Sequence, residues 1–241
     1  MNSNNMIKDL LVIDIETVPQ ADDYSSLTPE WQKLWWDKIS KTVPENTLPE
    51  NAWKLKAGIL AEFGKIICIS TAFFYEDDNK NLCLKLKSIS GDDEVKVLAG
   101  FIELCDKMYR HNKHFQFGGH NIKEFDIPYI CRRILVNRLA LPTYLSLQDK
   151  KPWEVKMFDT LNWWKFGDNK NYISLHLLAN VLGIQTSKTD IDGSMVQDVY
   201  YKDKNLNRIV EYCQRDVVVT ANIILRFQNL PLLNEEQITV V

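Results

Sequence analysis

Two acids, Asp14 and Glu16, close an apolar run that begins Leu10-Leu11-Val12-Ile13. The run is rich in β-branched residues and suits a central strand buried on both faces. Side chains alternate along a strand, so residues i and i+2 emerge together and the two carboxylates stand side by side at its C-terminal end. Neighbouring carboxylates at the mouth of a hydrophobic sheet repel each other and lose hydration, which is costly without a cation or a shared proton. Hard divalent cations such as Mg²⁺ or Mn²⁺ take oxygen ligands and would relieve both costs. A strand that ends in solvated acids is the plainer reading of this stretch alone.

Two later stretches carry further candidates. Gly119-His120-Asn121-Ile122-Lys123-Glu124-Phe125-Asp126 leaves a short strand and opens a helix, which places Asn121 and Asp126 at a strand's C-terminal edge. Tyr212-Cys213-Gln214-Arg215-Asp216 lies in the last long helical segment. Residues at i and i+4 share a helix face, so Tyr212 and Asp216 project together. The apolar stripe Ile209, Cys213, Val217, Thr220 and Ile224 runs beside them, which puts the pair at the margin of the buried face.

The rest of the chain reads as an α/β frame for these groups. Val18-Pro19 ends the first strand. Thr28 as N-cap and Pro29 at the first helical position start a short helix that runs to Ile39. Pro44 and Pro49 break the chain before a second helix expected near Trp53 to Glu62. This segment holds Trp31, Trp35, Trp36 and Trp53 and reads as an insertion folded over the sheet's active edge. Its aromatics suit packing more than ligand contact, though exposed ones could stack on bases. A hairpin follows, with strands from Lys65 to Tyr75 and from Leu82 to Ile89. Asp92 or Asp93 then caps a helix carrying Val95, Leu98, Phe101, Ile102, Cys105 and Met108.

His114 to Gly118 forms a short strand. Phe125 to Leu139 is an amphipathic helix with Ile130, Ile134 and Leu135 on one face and Arg132, Arg133 and Arg138 on others, read as solvated. Residues 155–161 are strand-like, and Asp159 at their end reads as structural. His120 reads as structural or solvent-facing, Ser174 as a helix cap and Lys188 as a solvated lysine. Helices over Leu175 to Leu182 and Asn205 to Phe227 complete the frame, and the tail from Leu232 to Val241 reads as poorly anchored.

At 241 residues, with 45% hydrophobic and 25% charged residues, the chain suits one large soluble domain. Its net charge of −3 argues against a non-specific nucleic-acid coat, but not against an enzyme that meets phosphate through metal ions. Five cysteines without a CxxC pair read as buried free thiols rather than as zinc ligands or disulfides. No apolar run approaches the ~18 residues of a membrane span, and the first residues lack the pattern of a secretory signal. A reduced, cytoplasmic protein without membrane contact is expected.

The ordered series Asp14-x-Glu16, Asn121-x3-Phe125-Asp126 and Tyr212-x3-Asp216 resembles the three motifs of the DEDD 3′–5′ exonuclease superfamily. The tyrosine resembles the DEDDy branch; the histidine branch would need His where this sequence has Glu211. The stretch from Ser174 to Gly193 and the lead-in to Tyr212 are similar to stand-alone exonucleases related to the proofreading domain of family B DNA polymerases. The similarity spans roughly Lys8 to Phe227. The resemblance implies a ribonuclease H-like fold, a mixed five-stranded sheet flanked by helices. It implies a single exonuclease domain over 1–241 with the Trp-rich insertion at about 19–64.

By the same resemblance, the chemistry is two-metal phosphodiester hydrolysis with two Mg²⁺ or Mn²⁺ ions per active site. Asp14, Glu16, Asp126 and Asp216 would be the metal ligands, with Asp14 shared by both ions. Tyr212 would orient the attacking water, and Thr17, Asn121 and Phe125 would contact substrate. The implied substrate is a single-stranded 3′ end, DNA favoured over RNA, with a polymerase or repair partner in trans. An exoribonuclease, or a catalytically silent nucleic-acid-binding module on the same fold, are the rival readings. The presence of all four carboxylates and the tyrosine speaks against the silent one.

Overall fold

The computed structural model describes residues 3–151, 153–168, 170–185 and 191–241. Helix α1 (Ser3–Lys8) leads into strand β1 (Leu10–Pro19), and helices α2 (Pro29–Ile39) and α3 (Pro49–Lys56) intervene before β2 (Gly64–Glu76) and β3 (Leu82–Ser90). Helix α4 (Glu94–His111), β4 (Gln116–Gly119), α5 (Asp126–Val136), β5 (Met157–Asp159) and α6 (Thr160–Lys165) follow. Then come α7 (Leu175–Val181), α8 (Val196–Tyr201), α9 (Leu206–Phe227) and β6 (Ile238–Val240). The strands form one mixed sheet in the order β5-β4-β1-β2-β3-β6. β2 is antiparallel to both β1 and β3, while the β1–β4, β4–β5 and β3–β6 pairs are parallel. The first five strands and the flanking helices bear out the ribonuclease H-like expectation.

The sixth strand corrects the strand count, and it corrects the tail. Residues 238–240 pair with β3, Val241 N donates to Leu86 O at 2.9 Å, and Gln237 Nε2 donates to Leu82 O at 2.8 Å. Leu233 N is held by Asn222 Oδ1 of α9 at 2.9 Å. Three residues of strand are too few to show a period, and these hydrogen bonds anchor the segment together with Leu232, Leu233 and Ile238, which pack against the core under α9.

The alternation of β1 divides its side chains between two cores. Leu11, Ile13 and Ile15 enter the cluster with Leu98 and Phe101 of α4 and Ile127, Ile130 and Ile134 of α5. Leu10 and Val12 enter the cluster with Val217, Ala221 and Ile224 of α9, and Val18 joins Ile209 near the other end of that helix. Burying each such aliphatic side chain is worth about 1.5–3 kcal/mol, so the even positions of β1 clamp it to α9.

The Trp-rich segment is a small core of its own. Trp35 and Trp53 are fully buried and meet edge to face at 5.1 Å, and Trp35 meets Phe63 at the same spacing. Their indole N–H groups donate to Pro49 O and Ala21 O, both at 3.1 Å. Trp35 is therefore packing, not a stacking surface for bases. The second helix of this segment begins at Pro49 and ends at Lys56, earlier than expected over Trp53 to Glu62, because Pro49 occupies the first helical position instead of acting as a breaker.

One arginine also moves. Arg133, expected on a solvated face, is buried, and its guanidinium pairs with the buried Glu94 through Nε at 2.9 Å and through Nη2. Its position fits the α5 stripe it shares with Ile130 and Ile134, and Asp93 caps the partner helix.

Candidate active site

On the α9 side of β1, the positions between the clamped Val12 and Val18 are Asp14 and Glu16. A register shift against β2 falls between Glu16 and Thr17, with Glu16 opposite Cys68 and Thr17 opposite Ile66. Such a bulge bends the strand and re-aims its side chains, here immediately after the second acid.

Asp126 arrives from the other side of the strand end. β4 closes on Gly119, where a Cβ would lie 2.8 Å from Ile122 Cβ and 3.1 Å from Ile13 O, so only glycine lets the chain turn beside β1. Asn121 follows in the left-handed region at φ 61°, which Asn tolerates better than most residues. Asp159, at the end of β5, accepts from Asn121 N at 3.2 Å and Lys123 N at 3.0 Å, and also caps α6 through Leu161 N and Asn162 N. Asp159 is thus the structural residue expected. His120 is likewise tied down, its ring nitrogens at 2.9 Å from Thr160 Oγ1 and 3.0 Å from Ile173 O. The turn so fixed starts α5 with Asp126 in its first turn.

Tyr212 and Asp216 come from α9, half-buried as the stripe pattern requires, with the Tyr212 hydroxyl near enough to Asp216 to favour its charged form. The four carboxylates act on one another electrostatically. Burial first, then the charges of Asp126 and Asp216, hold the Asp14 carboxyl well above its ordinary value. Glu16 is pushed up in the same way, by burial and then by Asp14 and Asp216. Burial raises Asp126 to about 7, against hydrogen bonds from its own N–H and that of Ile15. Asp216 rises to about 6, where burial is opposed by the Tyr212 hydrogen bond and by the charges of Arg215 and His176. Burial and the surrounding anions drive the Tyr212 phenol up as well.

The remaining expected residues are nearby but differ in kind. Asn121 Oδ1 is shut from solvent with no hydrogen-bond partner. Phe125 is half-buried against Tyr129, ring centroids 5.5 Å apart, so part of it serves the core. The Thr17 side chain neighbours the Tyr129 phenol, which donates to Gly58 O at 2.7 Å. Ser174 caps α7 through Leu177 N, and Lys188 lies outside the described residues.

Two neighbours escaped the sequence reading. Cys213 Sγ donates to Asp14 Oδ2 at 3.2 Å, and the ligand atoms of Asp14, Glu16 and Cys213 all lie within 4.8 Å of one another. Its place in the α9 stripe, one residue after Tyr212, was the available signal. His176 reaches Asp216 with its charge from α7, a contact between separate helices that no spacing reveals.

No curated protein sequence matches the chain. Among solved structures, the family B DNA polymerase from the hyperthermophilic archaeon Pyrobaculum calidifontis is similar at 12% identity and a TM-score of 0.45, over 91% of this chain. The chain spans 27% of the length of that polymerase. A family profile described as a predicted 3′–5′ exonuclease related to the exonuclease domain of PolB matches residues 59–237. That range includes Asp126, Tyr212 and Asp216, and the fold adds Asp14 and Glu16 from outside it. The chain belongs to this family of predicted 3′–5′ exonucleases related to the exonuclease domain of PolB.

Proposed function

We propose that this chain is a metal-dependent exonuclease that removes nucleotides from single-stranded 3′ ends, with DNA preferred to RNA. The observation that carries the reading is the convergence of four carboxylates from three separate segments, none of them in an ion pair among the described residues. A cluster of crowded acids that no ion pair neutralises calls for cations, and its oxygen donors suit Mg²⁺ or Mn²⁺. Asp14, which feels both Asp126 and Asp216, would be shared between two ions, with Glu16 and Asp216 completing one ligand set and Asp126 the other. Bound there, the ions would stabilise charge on the attacking and leaving oxygens of a phosphodiester.

The chain's own residues then have distinct tasks. Tyr212 keeps its proton at neutral pH, because its phenol is raised above an ordinary value, so it orients the water through a hydrogen bond and does not serve as the base. Asn121, with its unsatisfied Oδ1, and the exposed part of Phe125 would receive the terminal nucleotide beside Thr17. The Trp-rich insertion at about 19–64 belongs to the same single domain and supports this edge, since Gln20 N donates to Phe63 O and the Tyr129 hydroxyl to Gly58 O. The preference for DNA rests on the likeness to proofreading domains. A proofreading or repair role would be exercised with a polymerase or repair partner in trans, in the cytoplasm. No helix among the described residues is long and apolar enough to cross a membrane.

Incubation of 5′-labelled, single-stranded DNA and RNA with Mg²⁺ or Mn²⁺ tests the reading. Stepwise shortening from the 3′ end with release of 5′-mononucleotides, stopped by EDTA and faster on DNA, is the expected result. Binding of the oligonucleotide without any shortening would favour the silent module, and faster shortening of RNA would favour the exoribonuclease.

A further inference from the structure

A groove of about 1110 Å³ runs along the outer face of α9, between the C-terminal end of α7 on one side and β3 and β6 on the other. It does not include the four carboxylates, yet it begins beside them. Arg215 lines it and directly precedes Asp216, so its side chain leaves the helix about 100° around from that acid. Arg215 Nε is closed off from solvent and has no hydrogen-bond partner, and the guanidinium forms no ion pair among the described residues. A guanidinium always carries its charge and five donors, and a buried N–H left without an acceptor is costly. Its charge nevertheless bears on Asp216, as does that of His176 from α7.

Several amide groups around it are engaged within the fold. Gln214 Nε2 donates to Ser88 Oγ at 2.9 Å, Asn222 Oδ1 accepts from Leu233 N, and Asn180 Nδ2 donates to His176 O at 2.7 Å. Arg215 is the one cationic side chain among the described residues that line the groove. Glu211 and Glu235 also line the groove, so it is no general basic channel. Whatever anion it admits is met once, at the end nearest Asp216. A guanidinium matches a phosphate through paired donors, and a backbone phosphate is the anion that a strand with its 3′ end at the carboxylates would bring there.

We propose that Arg215 binds one backbone phosphate of the substrate strand, adjacent to the phosphodiester being cleaved, at the mouth of this groove. The assignment rests on the exonuclease reading for the identity of the strand, and it makes Arg215 a positioning residue.

Binding of a fluorescent single-stranded oligodeoxynucleotide, followed by anisotropy over a range of NaCl concentrations in Ca²⁺, tests it with Arg215→Gln and Arg215→Lys. Loss of a charged hydrogen-bonded contact should weaken binding roughly tenfold in Arg215→Gln. The slope of log Kd against log salt should become shallower by about 0.7, the value for one phosphate of a single strand. Arg215→Lys keeps the charge and should restore the slope while recovering only part of the affinity. In cleavage assays the KM of Arg215→Gln should rise more than its kcat falls.

An unchanged slope in Arg215→Gln, even with weaker binding or a lower melting temperature, would reduce Arg215 to a structural residue and overturn the assignment. Wild-type protein that binds the strand without shortening it in Mg²⁺ or Mn²⁺, with the slope still lowered in Arg215→Gln, would sink the exonuclease reading and leave this one standing. Absence of wild-type binding would sink both.

Discussion

A lone buried acid, Glu94, and a group of four acids pack against the same sheet, and the chain treats them in opposite ways. Glu94 accepts from Arg133 Nε at 2.9 Å, Asn137 Nδ2 at 2.8 Å and Ile66 N at 2.7 Å, and it takes the Arg133 Nη2 as well. Arg133 also reaches Ala61 O at 2.9 Å, so one ion pair joins α4, α5, β2 and the end of the Trp-rich segment. Asp14, Glu16, Asp126 and Asp216 receive a thiol, a phenol and a few backbone N–H groups, and no paired cation. Burial alone does not separate Glu94 from Glu16, which are 7% and 8% exposed. What separates them is the source of the compensating charge. Where the chain supplies it, the acid belongs to the frame; where the chain withholds it, the proposed function assigns the compensation to cations from outside.

The contrast can be broken at its strongest point first. Asp14→Ala should abolish cleavage, yet the metal-free protein should melt no lower than wild type, because removing one anion relieves the other three. Melting curves in EDTA beside a cleavage assay measure both, and a large loss of metal-free stability would place Asp14 in the frame. Next, Tyr212→Phe should keep Mn²⁺ affinity by isothermal titration while kcat falls roughly 10²–10⁴-fold, the range of general acid–base assistance. Lost Mn²⁺ binding would instead make the phenol part of the ion's support.

Glu94→Ala should behave in the opposite sense to Asp14→Ala. It leaves Arg133 charged and unpaired in the interior and should cost about 3–5 kcal/mol, read from urea unfolding. The smallest effect is a pH dependence of the metal-free protein. Asp126 near 7 and Asp216 near 6 both hold protons more tightly folded than at the ordinary carboxylate value of 3.8. Their contribution is therefore complete below that ordinary value and is lost as pH rises through 6 to 7. Stability in EDTA should fall over that interval, and saturating Mn²⁺ should flatten the decline. A rise over the same interval would contradict the charge balance described for the cluster.

Most of the site was legible because its spacings are local. The i, i+2 pair on β1 and the i, i+4 pair on α9 are fixed by strand and helix geometry, and the stripe of Ile209, Cys213 and Val217 tells which way α9 faces. The pairing of Glu94 with Arg133 was not legible, since it joins separate helices, although Arg133 lay on the apolar side of its own. Pro49 was misread because proline ends one helix and begins another with equal ease. The charge of His176 at Asp216 depends on how α7 docks, which no periodicity encodes.

The pairing of β6 with β3 has a consequence for the order in which the molecule assembles. Leu84 and Leu86 find their partners Ile238 and Val240 only after α9 has been made and folded back across the sheet. Contacts so distant along the chain form late, and until then the outer edge of β3 is an open row of donors and acceptors that another chain could use. Lys85 and Lys87 on that strand put positive charge along the waiting edge, so that two nascent copies repel each other there while the strand awaits its own partner.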